Sequence, residues 1–398
     1  MRIKKPEILV INQYYVPDVA STGQLAHDIC SSLAKQGCNV SVITAQPNYV
    51  SGMEKTHEFE VLDGVRIHRL DLGSKTGREN KRVRIKGYLR FLKKAWNCAN
   101  VLCKTHRYDF VFTFHNPPFV GLVGRKLARK HKLKFVYAPL DIHPDILIET
   151  NWMNIPKPFV WLWNKMNCKI LSGADKIIAL SENMKQTLVN EKHAEMEKVC
   201  VIPVWARPEI GTDSCNNEIR KELNISEDDL MILYAGNIGI MHPIHPILDS
   251  AKLVRDLPVK IVFMGDGANR KNLENRIAKE NISNVIYLPY QHEDRFCNIV
   301  KSSDVCIVSL QKRMEKFAFP SRAMTFLSAG KPLITMMNED CGFVQLLQEN
   351  QCGWNVNDYQ ELAELIRTLS GKRFGLLQNS QNAIRIYYKH FRKEVILE

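Results

Sequence analysis

Apolar runs of four to six residues recur along the chain, and the stretches between them carry apolar positions at helical spacing. A short continuous apolar run bounded by turn residues reads as a strand buried on both faces, and the 3.6-residue periodicity beside it as a covering helix. In the first half the runs are Ile8–Ile11, Val40–Thr44, Val65–Leu70, Phe110–Phe114, Phe135–Ala138 and Lys176–Leu180. In the second half they are Val199–Pro203, Met231–Ala235, Lys260–Met264, Val285–Leu288, Val305–Ser309 and Leu333–Met336. This alternation predicts an α/β protein with parallel sheets covered by helices on both faces, and two such series predict two doubly wound domains. Pro203, Pro208 and Gly211 break the periodicity between about Val201 and Asp213, where the domain boundary is expected. Residues 1–200 then form the first domain and 201–379 the second. The final segment, Asn382–Arg392, again has helical apolar spacing, and a helix over about 380–398 is expected to pack back on the first domain.

Size supports the division, because 398 residues exceed the length at which one hydrophobic core stops growing. Hydrophobic content of 45% with 24% charged residues is ordinary for a globular chain and excludes intrinsic disorder. Charge changes the picture more. Lys plus Arg minus Asp plus Glu is 55 − 42 = +13. The surplus is clustered, with eleven Lys or Arg against Glu79 alone in residues 75–107 and six with no acid in 124–134. Such clusters point to an anionic partner. Within residues 86–103, Tyr88, Phe91, Leu92, Ala95, Trp96, Ala99 and Leu102 make an apolar stripe beside Lys86, Arg90, Lys93 and Lys94. That pattern suits either an anionic lipid surface or a helix packed on the core with its lysines solvated. Eleven scattered cysteines without a C-x-x-C pair suggest neither a zinc site nor a disulfide framework, and a reducing compartment is expected. No apolar run reaches 18 residues, so neither a membrane-spanning helix nor a signal peptide is expected.

The segment Glu315–Ile334 carries the densest chemistry. Pro320 and Ser321 predict a helix start with Ser321 as N-cap, so that free backbone N–H groups and the Arg322 cation face an anion. Gly330 suits a left-handed C-cap, and Pro332 cannot prolong the helix before the next strand. Ser21–Gly23 follows the first strand and precedes the helical run Leu25–Lys35, where glycine lets backbone amides approach an anion. Gly236, Asn237 and Gly239, and then Gly265 and Gly267, sit just past two strands of the second half, at the strand ends where open α/β sheets bind ligands. An ordinary turn would also use these glycines. His115 ends the strand Phe110–Phe114, and Asp141, His143 and Asp145 follow the strand Phe135–Ala138. A structural histidine and an Asx turn before Pro144 are the plain readings; a site at the sheet edge is the functional one.

Taken in order, Ile11–Leu25, Ala45–Tyr49 with Gly52, Asn116–Pro118, Asp141–Asp145, Tyr234–Gly239, Gly265–Gly267 and the Pro320–Pro332 segment resemble the family 4 glycosyltransferases over nearly the whole chain. They look most like the fucosaminyltransferase-like branch that builds bacterial surface polysaccharides. The resemblance implies the GT-B fold, two Rossmann-like domains facing a central cleft, with the acceptor on the first domain and the nucleotide sugar on the second. It implies that His115 contacts the transferred sugar, that Asp141 or Asp145 orients the acceptor hydroxyl or acts as its base, and that Glu315 contacts donor hydroxyls. Gly23, Gly236, Asn237, Gly239, Gly265, Gly267, Ser321, Arg322 and Thr325 would line the donor nucleotide.

The chain also departs from that family. Asn237 stands where many members have Arg, Met241 lies where a Lys is common, and Thr325 replaces a ribose-binding Glu. Arg322, Lys312 or Arg313 would have to supply the missing cation. The implied reaction is a retaining transfer from a nucleotide-sugar donor, UDP-linked by family habit, to a polyprenyl-diphosphate-linked glycan at the cytoplasmic membrane face. No obligatory metal or other cofactor is expected. A nucleotide-sugar 2-epimerase on the same fold remains an alternative, as does a non-catalytic basic protein that binds carbohydrate or nucleic acid; aromatic residues at helical spacing in the basic segment speak against nucleic acid.

Overall fold

The structure is a computed structural model that describes residues 5–18, 20–47, 54–73, 81–151, 155–212, 218–371 and 375–398. Fourteen strands form two sheets among these residues. The first sheet contains β1 (Glu7–Ile11), β2 (Asn39–Ala45), β3 (Phe59–Leu62), β4 (Val65–Leu70), β5 (Phe110–Phe114), β6 (Lys134–Ala138), β7 (Lys176–Ala179) and β8 (Val199–Val201). Their spatial order is β3-β4-β2-β1-β5-β6-β7-β8, parallel except for β3 against β4. The second sheet contains β9 (Leu230–Asn237), β10 (Val259–Asp266), β11 (Val285–Leu288), β12 (Val305–Ser309), β13 (Leu333–Met336) and β14 (Gly353–Asn355). Its order is β11-β10-β9-β12-β13-β14, parallel throughout.

Central strands are apolar because both faces are covered. Leu9, Val10 and Ile11 of β1 are inaccessible to solvent, and Val10 lies opposite Val42 on one side and Phe112 on the other. Strand β9 is buried from Leu230 to Ala235 in the same way. Each sheet reverses its winding beside its first strand: β2 and β5 flank β1, and β10 and β12 flank β9. At such a switch point the covering helices diverge and leave a crevice at the strand carboxyl ends.

Two strands escaped the sequence pattern. In β3, Phe59 and Val61 are 54% and 62% exposed, so this edge strand has no buried face to betray it; its signal is the Asp63-Gly64 turn, with φ of 49° and 78°. Strand β14 has only three residues. One assignment is corrected. Val199–Val201 was expected to open the second series, but it pairs in parallel with β7, Val199 opposite Ile177, and ends the first sheet. A short helical crossover through Glu182–Glu191 returns the chain beside the strand it has just left.

The C-terminal return is also later than expected. The helix Leu376–Ile386 stays with the second half, packed on the helix Arg322–Ser328. Only Lys393–Leu397 reaches the first half, where Lys393 Nζ donates to Asp28 Oδ1 at 2.6 Å. Asp28 is buried and also accepts from Trp205 Nε1 at 2.9 Å and from the Arg207 guanidinium. One carboxylate thus ties together the helix Ser21–Lys35, the connecting segment around Trp205 and the chain terminus.

Candidate active site

The carboxyl end of β5 presents His115, and the loop after β6 presents Asp141. His115 Nε2 lies 3.1 Å from Asp141 Oδ2. His115 is 4% exposed, whereas the Asp141 side chain is 41% exposed, so the pair runs from the sheet edge outward to the cleft. Asn116 Nδ2 lies 3.1 Å from the same Nε2, and His115 Nδ1 is buried with no hydrogen-bond partner among the described residues. Burial pushes the Asp141 carboxyl up, but the hydrogen bond from His115 and the fields of His115 and His143 outweigh it and hold the carboxyl below its ordinary range. Burial lowers His143 to about 4, against the opposing pull of Asp141. The His143 ring stands 6.1 Å from the His115 ring and 6.3 Å from that of Trp163, on the helix Lys157–Gly173. Asp145 is committed elsewhere: its Oδ1 accepts from Lys192 Nζ at 2.7 Å.

The opposing wall comes from the second sheet. Glu315, on the short turn Met314–Lys316 after β12, is 3% exposed. Its Oε1 accepts from Asn338 Nδ2 at 3.3 Å, and its Oε2 has no partner among the described residues. Ile142 N–H donates to the Phe317 carbonyl at 3.0 Å, which joins the residue after Asp141 to a residue two beyond Glu315. Arg313 pairs with Glu149 at 3.3 Å and Lys316 with Glu191 at 3.1 Å. Three contacts therefore seat the Glu315 loop on the first half of the molecule, while Lys312 stays exposed on the same loop.

The glycines at the carboxyl ends of β9 and β10 form one tightly knit surface. A Cβ on Gly265, where φ is +145°, would come within 1.9 Å of the Gly236 carbonyl oxygen, and one on Gly267 within 2.4 Å of the Ile238 oxygen. Asn237 fills the space between Gly239 and Gly267, each of which would place a Cβ within 2.7 Å of its side chain. The Tyr234 hydroxyl donates to the Asn237 carbonyl and the Tyr287 hydroxyl to the Gly265 carbonyl. No cation stands at 237 or 241, as the sequence requires.

Other expectations are met only in part. The helix Ser21–Lys35 begins earlier than the Leu25 predicted, so Gly23 lies in its first turn rather than in a loop. Its N–H donates to Ala20 O, and a Cβ there would meet the Tyr14 and Tyr15 backbone at 2.9 Å; glycine serves close packing at this position. Ser321 precedes the helix Arg322–Ser328 but caps nothing: its backbone is already helical and its side chain accepts no cap hydrogen bond. That helix has seven residues, too short for a strong dipole. Arg322 stacks over Phe296 at 4.8 Å, with Nη1 3.5 Å from the Arg207 carbonyl, and burial lowers its pKa. Thr325 is 1% exposed, and its hydroxyl donates to that same carbonyl. Gly330 takes the expected left-handed conformation at φ +65°. Val19, Asn48, Tyr49, Gly52 and residues 75–80 of the basic segment lie outside the described residues.

The stripe in 86–103 packs inward. Phe91, Ala95 and Ala99 are fully buried, and Leu92, Trp96 and Leu102 lie against the same core. His143, Trp163, Asn167 and Lys192 join His115 and Asp141 around a cavity of about 30 Å³, room for about one water. Of these, only His143 stood out in the sequence, by its place between two aspartates. One ligand atom each of His115, Asp141 and His143 lie within 4.8 Å of one another, a set that could also hold a metal ion.

Residues 22–205 match the family model described as a glycosyl transferase 4-like domain, and residues 216–388 match that of glycosyl transferases group 1. A probable glycosyltransferase of Pseudomonas aeruginosa, WbjE, is 25% identical over 66% of this chain and 66% of its own length. A putative colanic acid biosynthesis glycosyl transferase of Escherichia coli K12, WcaI, is 25% identical over 40% of each chain. The chain thus spans slightly under two thirds and two fifths of these two relatives. Among solved structures, the Anabaena protein HepE in complex with UDP superposes with a TM-score of 0.71 at 14% identity, over 98% of this chain and 97% of that one. HepE has also been solved with UDP and glucose and with UDP-glucose. The chain thus has the GT-B fold of these structures, and its two halves match, in order, a glycosyl transferase 4-like domain and a glycosyl transferases group 1 domain.

Proposed function

We propose that the protein is a retaining glycosyltransferase that moves a sugar from a UDP-linked donor to a hydroxyl of a polyprenyl-diphosphate-linked glycan. The single observation that carries this reading is the His115–Asp141 pair at 3.1 Å, set at a sheet switch point and joined through Ile142 and Phe317 to the loop of Glu315. The glycine surface of Gly236, Gly239, Gly265 and Gly267 would receive the diphosphate through close backbone approach, with Arg322 and Lys312 as the available cations. Thr325 would serve this wall through the Arg207 backbone. Glu315 Oε2, buried and unpartnered, would accept from a donor hydroxyl.

In the transfer, the bond from the anomeric carbon to the diphosphate oxygen breaks and its electron pair leaves with UDP. The acceptor oxygen bonds the same carbon from the same face, and its proton passes to the departing phosphate oxygen beside it. His115 would position the sugar from the carboxyl end of β5, and ionised Asp141 would hold the His115 ring in place and orient the acceptor hydroxyl. Stabilisation of developing charge by fixed groups requires no metal in this scheme. The name of WcaI and the resemblance to the fucosaminyltransferase-like branch favour surface-polysaccharide synthesis, of capsule, O-antigen or exopolysaccharide type, with an N-acetylated amino or deoxyamino sugar as donor. The enzyme would work peripherally on the cytoplasmic face of the membrane.

The reading is tested by incubating the protein with a panel of UDP-sugars, with and without polyprenyl-diphosphate-linked glycans. Acceptor-dependent UDP release with an α-anomeric donor giving an α-linked product is expected. Conversion of UDP-sugar without acceptor would point instead to the epimerase.

A further inference from the structure

The helix Lys157–Gly173 has two faces with different tasks. On one, Trp163 stands against His143, and Asn167 donates to the His143 carbonyl. On the other, Phe159 and Trp161 are 64% and 63% exposed and Leu162 is 43% exposed. Lys165 and Lys169 are exposed on the same side, Lys157 is exposed at the helix start, and the helix contains no acidic residue. At 100° per residue, positions 158, 159, 161, 162, 165 and 169 fall within one arc of about 160°. Lys165 Nζ lies 4.9 Å from the Trp161 ring centroid, so a cation and an indole share one surface point. Lys169 and Met166 continue this face into a groove of about 440 Å³ edged by Lys93, Arg125, Lys126 and Trp96.

Exposing a Phe, a Trp and a Leu together costs free energy in water. A bilayer interface removes that cost, because aromatic rings settle at the headgroup level and lysines reach the phosphates. We infer that this face, and not the buried stripe of residues 86–103, is the docking surface for an anionic lipid bilayer. The charge argument selects the occupant: Lys165 and Lys169 beside the aromatic cluster, with Lys93, Arg125 and Lys126 along the adjoining groove, match anionic headgroups. Docking there would lay the helix flat on the membrane with its inner face on the His143 wall, so a lipid-linked acceptor would arrive at the cleft without leaving the bilayer. The inference rests on the lipid-linked acceptor proposed above.

The test is co-sedimentation of the full chain with phosphatidylcholine vesicles, with and without phosphatidylglycerol. Two variants accompany it, Phe159→Ser with Trp161→Ser, and Lys165→Glu with Lys169→Glu. The parent is expected to bind vesicles that contain phosphatidylglycerol and to be released by salt; each double variant should bind at least about tenfold more weakly. Both variants should transfer sugar to a water-soluble short-chain acceptor at the parental rate, which shows that they are folded and keeps this inference separate from the enzymatic reading. Equal binding by parent and variants overturns the assignment, as does a parent that binds neither vesicle. A parent that self-associates through this face, with a monomeric Phe159→Ser, Trp161→Ser variant, overturns it too. Loss of soluble transfer by the parent itself would instead overturn the enzymatic reading.

Discussion

The Ile142 amide and the Phe317 carbonyl meet at 3.0 Å across the cleft, and this backbone hydrogen bond sets the loop of Asp141 beside the loop of Glu315. Two acids from different sheets are thereby brought to one crevice, although 174 positions separate them in the chain (315 − 141).

His143 provides a pH signature. Its folded-state value of about 4 lies below the ordinary 6.5, so below 6.5 the unfolded chain binds a proton that the folded chain refuses. Stability contributed by neutral His143 is therefore complete above about 6.5 and is lost as the pH falls towards 4, with a total on the order of 3 kcal/mol. His143→Gln should flatten the pH dependence of the unfolding free energy in that window by up to about one proton. Denaturant titrations at several pH values measure the slope, and an unchanged slope would contradict the assignment.

Gly265 offers no room for a side chain. A Cβ 1.9 Å from the Gly236 oxygen forces β9 and β10 apart at their carboxyl ends. Gly265→Ala should cost roughly 3 kcal/mol or more and weaken UDP binding together with stability. Thermal unfolding and calorimetry of the same preparation decide it; a variant as stable as the parent would mean that the loop adjusts freely.

Asp28 accepts from Arg207, Trp205 and Lys393. Removing this buried anion leaves two cations facing each other, a loss on the order of 3–5 kcal/mol. Asp28→Ala should release the terminal helix Lys393–Leu397 first, visible as accelerated amide exchange there. Uniform exchange with no loss of stability would show that the hub is dispensable.

The parallel sheets were legible in the sequence because their strands are buried on both faces and read as unbroken apolar runs; Val305–Ser309 and Leu333–Met336 match residue for residue. Elements whose side chains face water, such as β3, left no such trace. His115 and Asp141 were legible by their place after strands. Their mutual hydrogen bond was not, because it depends on β5 pairing in parallel with β6, which brings the two strand ends side by side. The 86–103 stripe shows the limit of periodicity: apolar spacing says that a helix has an apolar face, not whether that face meets lipid or protein. Trp161 and Phe159 were overlooked because they interrupt a helix that also supplies buried residues such as Ile170 and Leu171.

Metal dependence separates two uses of His115, Asp141 and His143. As a hydrogen-bonding cluster they need no ion, and transfer should be unchanged after exhaustive treatment with EDTA. Loss of activity restored by a divalent ion, together with loss of ion binding in His143→Gln, would make them ligands instead.

The most direct test of the site is His115→Ala, assayed for turnover and for UDP affinity on the same protein. The proposed role of His115 with the transferred sugar predicts that turnover falls by at least about a hundredfold, while UDP affinity measured by calorimetry changes less than about threefold. Turnover within about twofold of the parent would contradict it, and would leave His115 as a structural histidine at the end of β5.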